Sequence, residues 1–350
     1  MGKTLLLIGA NGFIGSNLSR HILTTTDWHI HAMDLASDKL AESLCHPRFH
    51  FFEGDLRTSM DWIESRVKEC DIILPFAAIA NPATYVENPL SVFELDFEAN
   101  LDIVRLCVKH QKRLVFPSTS EVYGMSPDTP YDEETSNLVT GPIARERWIY
   151  SCSKQMMDRV IYAYGQHHGL QFTLFRPFNW FGPKLDNVWV PGKQNRVVTK
   201  FLSNILHKKD ITLIDGGAQK RCFLYIDDAV DALMRILENK DGCADGQIFN
   251  IGHPGNEASI AQLADMMITI LSEFKGYEDI RSQVKITVAG GQEYYGAGYQ
   301  DIDTRVPKID KAAKLLGWKP ATGMEDAVRR TIGYYLAQPR RMAEPMTGTG

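Results

Sequence analysis

The chain has 350 residues, of which 44% are hydrophobic and 23% are charged, an ordinary composition for a globular protein. This composition excludes a disordered chain, a collagen-like chain and a small disulfide scaffold. The formal net charge of -5 provides no overall basic field, so we expect no nucleic-acid partner.

The six cysteines are scattered, without a Cys-x-x-Cys pair or a Cys/His cluster at metal-ligand spacing. This pattern predicts reduced thiols and no metal site. The N-terminal residues lead directly into an apolar stretch and lack the pattern of a signal peptide. The longest apolar run, residues 72–80, is far shorter than the roughly 20 residues of a membrane helix. We therefore expect a cytoplasmic protein with no membrane partner.

Short β-rich runs alternate with amphipathic segments from residue 3 to about residue 176. This alternation predicts βα units on a parallel sheet that helices cover on both faces. The predicted strands are residues 3–8, 29–33, 49–52, 71–76, 113–118 and 171–175. Beyond Pro177 loops become frequent. The predicted elements there are helices at residues 197–207, 227–238, 259–274 and 324–336, and strands at residues 211–214 and 247–251.

The first predicted strand is followed by a glycine-rich turn, residues 9–15, with the sequence GANGFIG, and a helix begins near Phe13. Glycines permit a tight turn and let the backbone approach a pyrophosphate at the helix N-terminus. A purely structural glycine turn is the alternative. The strand before the turn, the helix after it and Asp34 at the end of the second strand together favour dinucleotide binding.

Asp34 also indicates which dinucleotide binds. Its carboxylate would accept hydrogen bonds from ribose hydroxyls and repel a 2′-phosphate, and no arginine stands directly after that strand. NAD is therefore the expected cofactor, rather than NADP. Asp55 and Leu56, after the third strand, are expected beside the adenine, although Asp55 could equally be a turn residue. The expected cofactor-binding residues are Gly9, Asn11, Gly12, Phe13, Ile14, Gly15, Asp34, Asp55, Leu56, Tyr150 and Lys154.

These features predict the α/β fold class, with a Rossmann-type doubly wound parallel sheet and a smaller, mostly α substrate-binding region. The NAD-binding domain is expected to span residues 1–176, with residues 224–252 returning to it. Residues 177–223 and 253–338 are expected to form the substrate-binding region. The last residues, 339–350, lack apolar periodicity and are expected to be a mobile tail.

Tyr150 and Lys154 are four residues apart, so on a helix they share one face. A phenol has a pKa of about 10, and a neighbouring cation favours the ionised form. Tyr150 is therefore expected to act as a general base, with bound nicotinamide adding positive charge. A base that removes a hydroxyl proton, while the carbon gives a hydride to NAD, oxidises an alcohol. The same spacing also occurs on ordinary solvated helix faces, but this helix follows the fifth predicted strand, where the chemistry is expected.

The fifth predicted strand ends in a hydroxyl-rich segment with the sequence PSTSEVYG, residues 117–124. Doubly wound sheets bind their ligands at the carboxyl ends of the parallel strands. The alternative is that these hydroxyl groups only cap a helix. Because the Tyr150 helix follows this strand, we favour a site at this end of the sheet.

The spacing Gly-x-x-Gly-x-x-Gly resembles the extended short-chain dehydrogenase/reductase family, and longer segments resemble its UDP-glucuronic acid decarboxylases. The resemblance runs from Gly9 to about Pro307. The 4,6-dehydratases of the family have an aspartic acid at the position of Ser120, and the 4-epimerases generally lack a carboxylate at the position of Glu121. The segments that resemble the decarboxylases are residues 116–125, 147–151, 174–180, 216–223 and 294–301.

The resemblance implies that the enzyme oxidises C4 of UDP-glucuronic acid with NAD and releases carbon dioxide from the resulting β-keto acid. The product would be a UDP-4-keto-pentose, or UDP-xylose if the hydride returns to C4. Thr119 would hydrogen-bond the hydroxyl that Tyr150 deprotonates, whereas Glu121 and Arg305 would serve the decarboxylation. Without the resemblance, Arg305 would be taken for a surface arginine. The implied catalytic residues are Thr119, Ser120, Glu121, Tyr150, Lys154 and Arg305.

The resemblance also implies a homodimer, in which helices within residues 89–109 and 150–168 pair between two copies. One alternative is another UDP-sugar activity, such as a 4-epimerase. A second is a dinucleotide-sensing protein without catalysis, against which the intact Thr119, Tyr150 and Lys154 argue. The implied substrate-binding residues are Ala80, Tyr85, Thr119, Ser120, Arg147, Asn179, Thr212, Arg221 and Tyr299.

Overall fold

The computed structural model describes residues 2–190, 195–295, 298, 300, 302 and 304–338. The strands are β1 (Thr4–Ile8), β2 (His29–Asp34), β3 (Phe49–Glu53), β4 (Ile72–Pro75), β5 (Arg113–Pro117), β6 (Phe172–Pro177), β7 (Trp180–Phe181), β8 (Ile211–Ile214), β9 (Lys220–Cys222), β10 (Leu224–Tyr225), β11 (Gln247–Ile251), β12 (Glu257–Ser259) and β13 (Ile286–Ala289). Seven of them form one parallel sheet in the order β11-β6-β5-β4-β1-β2-β3. The predicted α/β fold class with a doubly wound sheet is confirmed.

Helices cover this sheet and make up much of the remaining chain. They are α1 (Phe13–Thr25), α2 (Ala41–Leu44), α3 (Met60–Glu69), α4 (Pro82–Glu87), α5 (Pro89–Phe93), α6 (Asn100–Lys109), α7 (Trp148–His168), α8 (Val197–Leu206), α9 (Ile226–Glu238), α10 (Ile260–Ser272), α11 (Ile280–Gln283), α12 (Gly291–Tyr295), α13 (Asp310–Leu316) and α14 (Met324–Ala337). None of the helices among the described residues combines the length and the apolar character needed to cross a membrane. The predicted tail, residues 339–350, lies outside the described residues.

The apolar sequence of β1 shows why the sheet needs cover on both faces. Successive side chains of a strand point to opposite sides. Leu5 and Leu7 belong to a core with α1 and α9, whereas Leu6 and Ile8 belong to a second core with α3, α6 and α7. A strand buried on both faces has no polar alternation, and β1 accordingly reads as a continuous apolar run.

The parallel register brings the functional segments together at one edge of the sheet. Ile8, at the end of β1, lies opposite Met33 of β2 and Pro75 of β4. Pro117, at the end of β5, lies opposite Phe175 of β6. The glycine turn after β1 and the hydroxyl-rich segment after β5 therefore emerge at the same edge.

Residues 89–109 are helical throughout, but the helix is not uniform. The segment is α-helical in α5 and α6, but a π-helix, Glu94–Ala99, lies between them. A π-turn holds more residues than an α-turn, so it rotates the side chains that follow relative to those that precede. Its buried residue is Asp96, which is 0% exposed.

The most enclosed tryptophan offers a test of the packing beyond the sheet. Trp318 is 0% exposed, and its Nε1 donates a hydrogen bond to the carbonyl of Asp228 at 3.0 Å. We expect Trp318→Ala to lower the free energy of unfolding by about 3–5 kcal/mol, because it leaves a large cavity. Urea denaturation followed by circular dichroism measures the change. Leu35→Ala, at a side chain that is 66% exposed, serves as the control and should change stability by less than about 0.5 kcal/mol.

Candidate functional site

A cavity of about 450 Å³ opens at the carboxyl edge of the sheet, a volume suited to a small-molecule ligand. Its walls come from the glycine turn, from the segment after β5, from α7 and from the chain beyond β6. The predicted site residues that line it are Gly9, Gly12, Phe13, Ile14, Gly15, Ala80, Tyr85, Thr119, Ser120, Glu121, Arg147, Tyr150, Lys154, Asn179, Thr212, Arg221 and Arg305. Residues predicted from distant parts of the sequence therefore meet in one cavity.

The glycine turn is too tight to hold side chains at Gly9 and Gly15. Gly9 has a φ of 87°, which favours glycine, and a Cβ atom there would lie 2.6 Å from the amide nitrogen of Ala77. A Cβ atom at Gly15 would lie 2.5 Å from the carbonyl oxygen of Gly9. Gly12 precedes α1, and no side chain caps that helix. A compact backbone turn at an uncapped helix N-terminus fits a dinucleotide pyrophosphate.

Asp34 contacts the glycine turn directly. Its carboxylate accepts hydrogen bonds from the backbone amides of Asn11 and Leu35, both at 2.7 Å. The Asn11 side chain in turn contacts Asp38 and the amide of Lys39. Burial raises the pKa of the Asp34 carboxyl, and the two amide hydrogen bonds oppose that shift. Asp34 is thus fixed beside the turn, where an acceptor for ribose hydroxyls is expected.

Four of the predicted cofactor residues do not line the cavity: Asn11, Asp34, Asp55 and Leu56. Asn11 and Asp34 contact each other beside the glycine turn, as described. Asp55 instead pairs with Arg57 at 2.6 Å, and the backbone amide of Arg57 also donates to it. These local contacts are those of a turn residue, the alternative interpretation of Asp55. Leu56 is buried. Tyr299, predicted to bind substrate, lies outside the described residues.

Tyr150 and Lys154 lie in the first half of α7, and both are buried. The ring of Tyr150 stacks on that of Tyr85, with the centroids 4.5 Å apart, and its hydroxyl hydrogen-bonds Thr119. The Lys154 Nζ lies 3.3 Å from a carboxylate oxygen of Asp96 and donates to the carbonyl of Pro117 at 3.3 Å. The phenol and the hydroxyl of Thr119 thus meet at the cavity wall.

The protein groups around Tyr150 oppose ionisation of its phenol. Burial raises the pKa of Tyr150 well above its ordinary value, and the negative charge of Asp96 raises it further. The carboxylate of Asp96 balances the charge of Lys154, so the lysine alone does not favour a phenolate. Tyr150 as a base therefore requires additional positive charge from a bound ligand.

Glu121 is held between two arginine side chains at the cavity wall. One carboxylate oxygen lies 2.6 Å from Nη2 of Arg147, and the other lies 2.5 Å from Nη1 of Arg305. Burial opposes ionisation of Glu121, but the guanidinium groups of Arg305 and Arg147 outweigh it and lower the pKa to about 2. Glu121 is consequently ionised at neutral pH, and Arg305 lies in the cavity rather than on the surface.

The remaining substrate candidates lie on the chain after β6. Asn179 adopts a positive φ of 43°, and its side-chain amide donates to the carbonyl of Cys222 at 3.1 Å. Arg221 is buried on β9 and donates to the carbonyl of Lys220 at 2.7 Å. Thr212 lies on β8, with its hydroxyl 3.4 Å from that of Thr287. These contacts fix the backbone and side chains that form the far wall.

The cavity carries an excess of positive charge. Glu121 is the one acidic residue among the described residues that line it. The cationic residues that line it are Arg147, Lys154, Arg196, Lys200, Arg221 and Arg305. Asp96 and Asp186, which lie behind the wall, offset the charges of Lys154 and Arg196. An anionic ligand would be attracted to the charge that remains.

Two buried carboxylates beside the site were missed from the sequence. Asp96 contacts Lys154, as described above. Asp158, one turn after Lys154 on α7, accepts hydrogen bonds from Ser118 at 2.8 Å and Arg176 at 3.1 Å. No three His, Cys, Asp or Glu side chains among the described residues are grouped as metal ligands would be.

The chain matches a family model and several solved structures. The model, described as the NAD dependent epimerase/dehydratase family, matches residues 5–252. The PbgP3 protein from Burkholderia pseudomallei is 50% identical, with a TM-score of 0.87 and 96% of each chain covered.

Two further structures are similar in fold, at lower identity. UDP-glucuronic acid 4-epimerase from Bacillus cereus, solved with UDP-glucuronic acid and NAD, is 20% identical, with a TM-score of 0.77 and coverage of 95% of this chain and 99% of that chain. The dTDP-glucose 4,6-dehydratase from Bacillus anthracis, solved with NAD, is 21% identical, with a TM-score of 0.76 and coverage of 96% of this chain and 97% of that chain.

Asp34 provides a test of the dinucleotide site. We expect Asp34→Ala to weaken NADH binding about tenfold, because it removes a charged hydrogen-bond acceptor, and to reduce the preference for NADH over NADPH. Fluorescence titration with each nucleotide measures both effects. Asp61→Ala, at an exposed carboxylate in the first turn of α3, is the control. An unchanged preference in Asp34→Ala would contradict the assignment.

Glu121 provides a test of the electrostatics. Its lowered pKa means that ionised Glu121 contributes stability above its ordinary pKa of 4.5, and that this contribution is lost as the pH falls towards 2. We expect Glu121→Gln to lower the free energy of unfolding by about 3 kcal/mol at neutral pH, because two buried guanidinium groups lose the negative charge between them. Urea denaturation should show that the stability difference between the wild type and this variant becomes smaller below about pH 4.5. Glu98→Gln, at an exposed carboxylate, is the control; a difference that widens in acid would refute the assignment.

Proposed function

Because the chain belongs to the NAD-dependent epimerase/dehydratase family and its cofactor is NAD, we propose that it decarboxylates UDP-glucuronic acid oxidatively to a UDP-4-keto-pentose. One observation carries the proposal: Glu121 lies between Arg147 and Arg305 on the wall that also presents Tyr150 and Thr119. The arrangement combines groups for alcohol oxidation with groups that can handle a second carboxylate. Return of the hydride to C4 would give UDP-xylose.

The cavity charge supports an anionic sugar nucleotide as substrate. Arg221 and Arg196 lie on the wall formed by the chain after β6, and we assign them to the diphosphate. Arg305 and Ser120 are assigned to the sugar carboxylate, since a serine can donate a hydrogen bond without the repulsion of an acidic side chain. The buried Tyr85 packs against Tyr150 and limits the room at the reacting end.

The first half of the reaction is oxidation at C4. Tyr150 removes the proton of the 4-hydroxyl, and Thr119 hydrogen-bonds the same oxygen and orients it. Bound NAD supplies the hydride acceptor and the positive charge of its oxidised ring. Lys154 stabilises the tyrosine oxygen once that extra charge offsets the effect of Asp96. The glycine turn at residues 9–15, together with Asp34, would hold the cofactor.

The second half of the reaction is loss of carbon dioxide. A ketone at C4 makes the carboxyl group at C6 part of a β-keto acid, so the electrons of the C5–C6 bond can pass into the carbonyl as an enolate. Glu121 would share Arg305 with the substrate carboxylate and repel that carboxylate, so release of neutral carbon dioxide relieves the repulsion. Because Glu121 stays ionised, we assign it to orienting a water molecule that protonates C5, and not to storing the proton. The hydroxide left by that water takes up the proton that Tyr150 removed from the 4-hydroxyl, so the protons balance.

Incubation of the protein with UDP-glucuronic acid and NAD tests the proposal. An NMR time course should show UDP-4-keto-pentose, UDP-xylose or both, with one carbon dioxide released for each substrate consumed. Absorbance of NADH should rise with the keto-pentose and not with the xylose. Formation of UDP-galacturonic acid without carbon dioxide would instead identify a 4-epimerase, and turnover of UDP-glucose alone would refute the carboxylated substrate.

Tyr150→Phe tests the assigned base. We expect kcat to fall by roughly a hundredfold to ten-thousandfold, because general-base catalysis contributes about that much, while NADH binding is retained. Tyr162→Phe, at an exposed tyrosine on the same helix, is the control and should keep full activity. Unchanged turnover in Tyr150→Phe would remove this residue from the mechanism.

A further inference from the structure

Asp96 is a buried charge whose position is set by an irregularity of the backbone. It lies on the π-helix Glu94–Ala99 and is 0% exposed. One carboxylate oxygen accepts a hydrogen bond from the amide of Ile79 at 3.0 Å, and the other lies 3.3 Å from Nζ of Lys154. Burying a carboxylate is costly unless it is paired. The ammonium group of Lys154 therefore offsets part of the cost of burying the Asp96 carboxylate.

The π-helix is tied to the sheet by a second polar residue. Asn100, also buried, donates from its side-chain amide to the carbonyls of Ala77 and Leu95 at 3.1 Å and 2.7 Å. Ala77 and Ile79 follow β4, so the segment after β4 and the π-helix hold each other in place. Single π-turns inside helices are frequently associated with functional sites. Asp96 therefore reaches Lys154 from a rigid support.

The cluster of Tyr150, Lys154 and Asp96 has few charged neighbours among the described residues. Asp158 interacts with Lys154 from the next turn of α7. Further groups come from α4, from the segment after β5 and from the residues directly before α7 and α8. The charged and titratable groups that face the cluster are Tyr85, Glu121, Arg147, Asp158 and Arg196. Arg176 pairs with Asp158, and Arg147 pairs with Glu121, so Asp96 remains the partner of Lys154.

We propose that Asp96 is a positioning residue that fixes the Lys154 ammonium and balances its charge at the Tyr150 end of the cavity. This inference rests on the NAD-dependent chemistry proposed above. Without Asp96 the Lys154 ammonium would lose the carboxylate that lies within ion-pair distance of it. The added net positive charge would disfavour the oxidised nicotinamide, which is positively charged, more than the reduced nicotinamide, which is neutral. Asp96 would thus help to set the relative affinity of the two forms of the cofactor.

The proposal predicts opposite changes from removal of the two partners. In Asp96→Asn the ratio of the NAD⁺ dissociation constant to the NADH dissociation constant should rise about tenfold. In Lys154→Met, which leaves Asp96 alone, the same ratio should fall. Calorimetric titration of each variant with NAD⁺ and with NADH measures the ratio without any turnover. A purely structural role of Asp96 would weaken both forms of the cofactor together.

The control is Asp102→Asn, on α6, where an exposed carboxylate pairs with Arg105 at 3.1 Å. It should leave the ratio unchanged. Asp96→Glu keeps the charge and should keep the ratio within about twofold of the wild-type value. Should Asp96→Asn fail to fold, Lys154→Met still decides the question. A ratio that stays within twofold in every variant that folds, or that moves in one direction for both partners, would overturn the proposal.

A second readout follows the tyrosine. Loss of the negative charge of Asp96 removes a contribution that raises the pKa of Tyr150, so the acid limb of the pH profile for kcat/KM should move to lower pH in Asp96→Asn. An unmoved limb would contradict the proposal. Since the cofactor titrations need no sugar nucleotide, a protein that fails to decarboxylate UDP-glucuronic acid still tests the role of Asp96. The two proposals can therefore fail independently.

Discussion

Glu121 lies where three parts of the chain meet, and its carboxylate connects them. The residue follows β5, whereas Arg147 precedes α7 and Arg305 belongs to the region after the sheet. Two buried guanidinium groups would repel each other and lose hydration without an anion between them. One carboxylate therefore stabilises the local fold and also sets the charge of the wall that we assign to the sugar carboxylate.

A second network of buried polar side chains holds the segment after β5 in place. Asp158 accepts from Ser118, which directly precedes Thr119, and also from Arg176 of β6. Arg176 donates to the hydroxyl of Tyr123 at 2.9 Å, and that hydroxyl donates to Asn250 of β11 at 2.8 Å. Because these side chains are buried and bonded to one another, they restrict the rotation of the segment that carries Thr119 and Glu121. Precise placement of catalytic groups depends on such a supporting layer.

Local patterns were sufficient to predict the sheet and the glycine turn, because the apolar run of β1 and the glycines of residues 9–15 determine their structures within a few residues. The position of Arg305 could be expected only from family resemblance, since no local pattern links it to Glu121. The partner of Lys154 was not predicted, because Asp96 is distant in sequence and reaches it through a π-turn. The spacing between Tyr150 and Lys154 shows the cation near the phenol, but it does not show the carboxylate of Asp96, which opposes ionisation of the phenol.

The place of β11 in the chain has a consequence for biosynthesis. This strand pairs with β6 at the edge of the sheet, although about seventy residues separate the two strands in the sequence. The hydroxyl of Thr173 on β6 also donates a hydrogen bond to the carbonyl of Ala244, just before β11. A nascent chain on the ribosome exposes the edge of β6 until Gln247–Ile251 has left the exit tunnel. During that interval the unpaired edge of β6 is open to pairing with other chains, which is a route to aggregation.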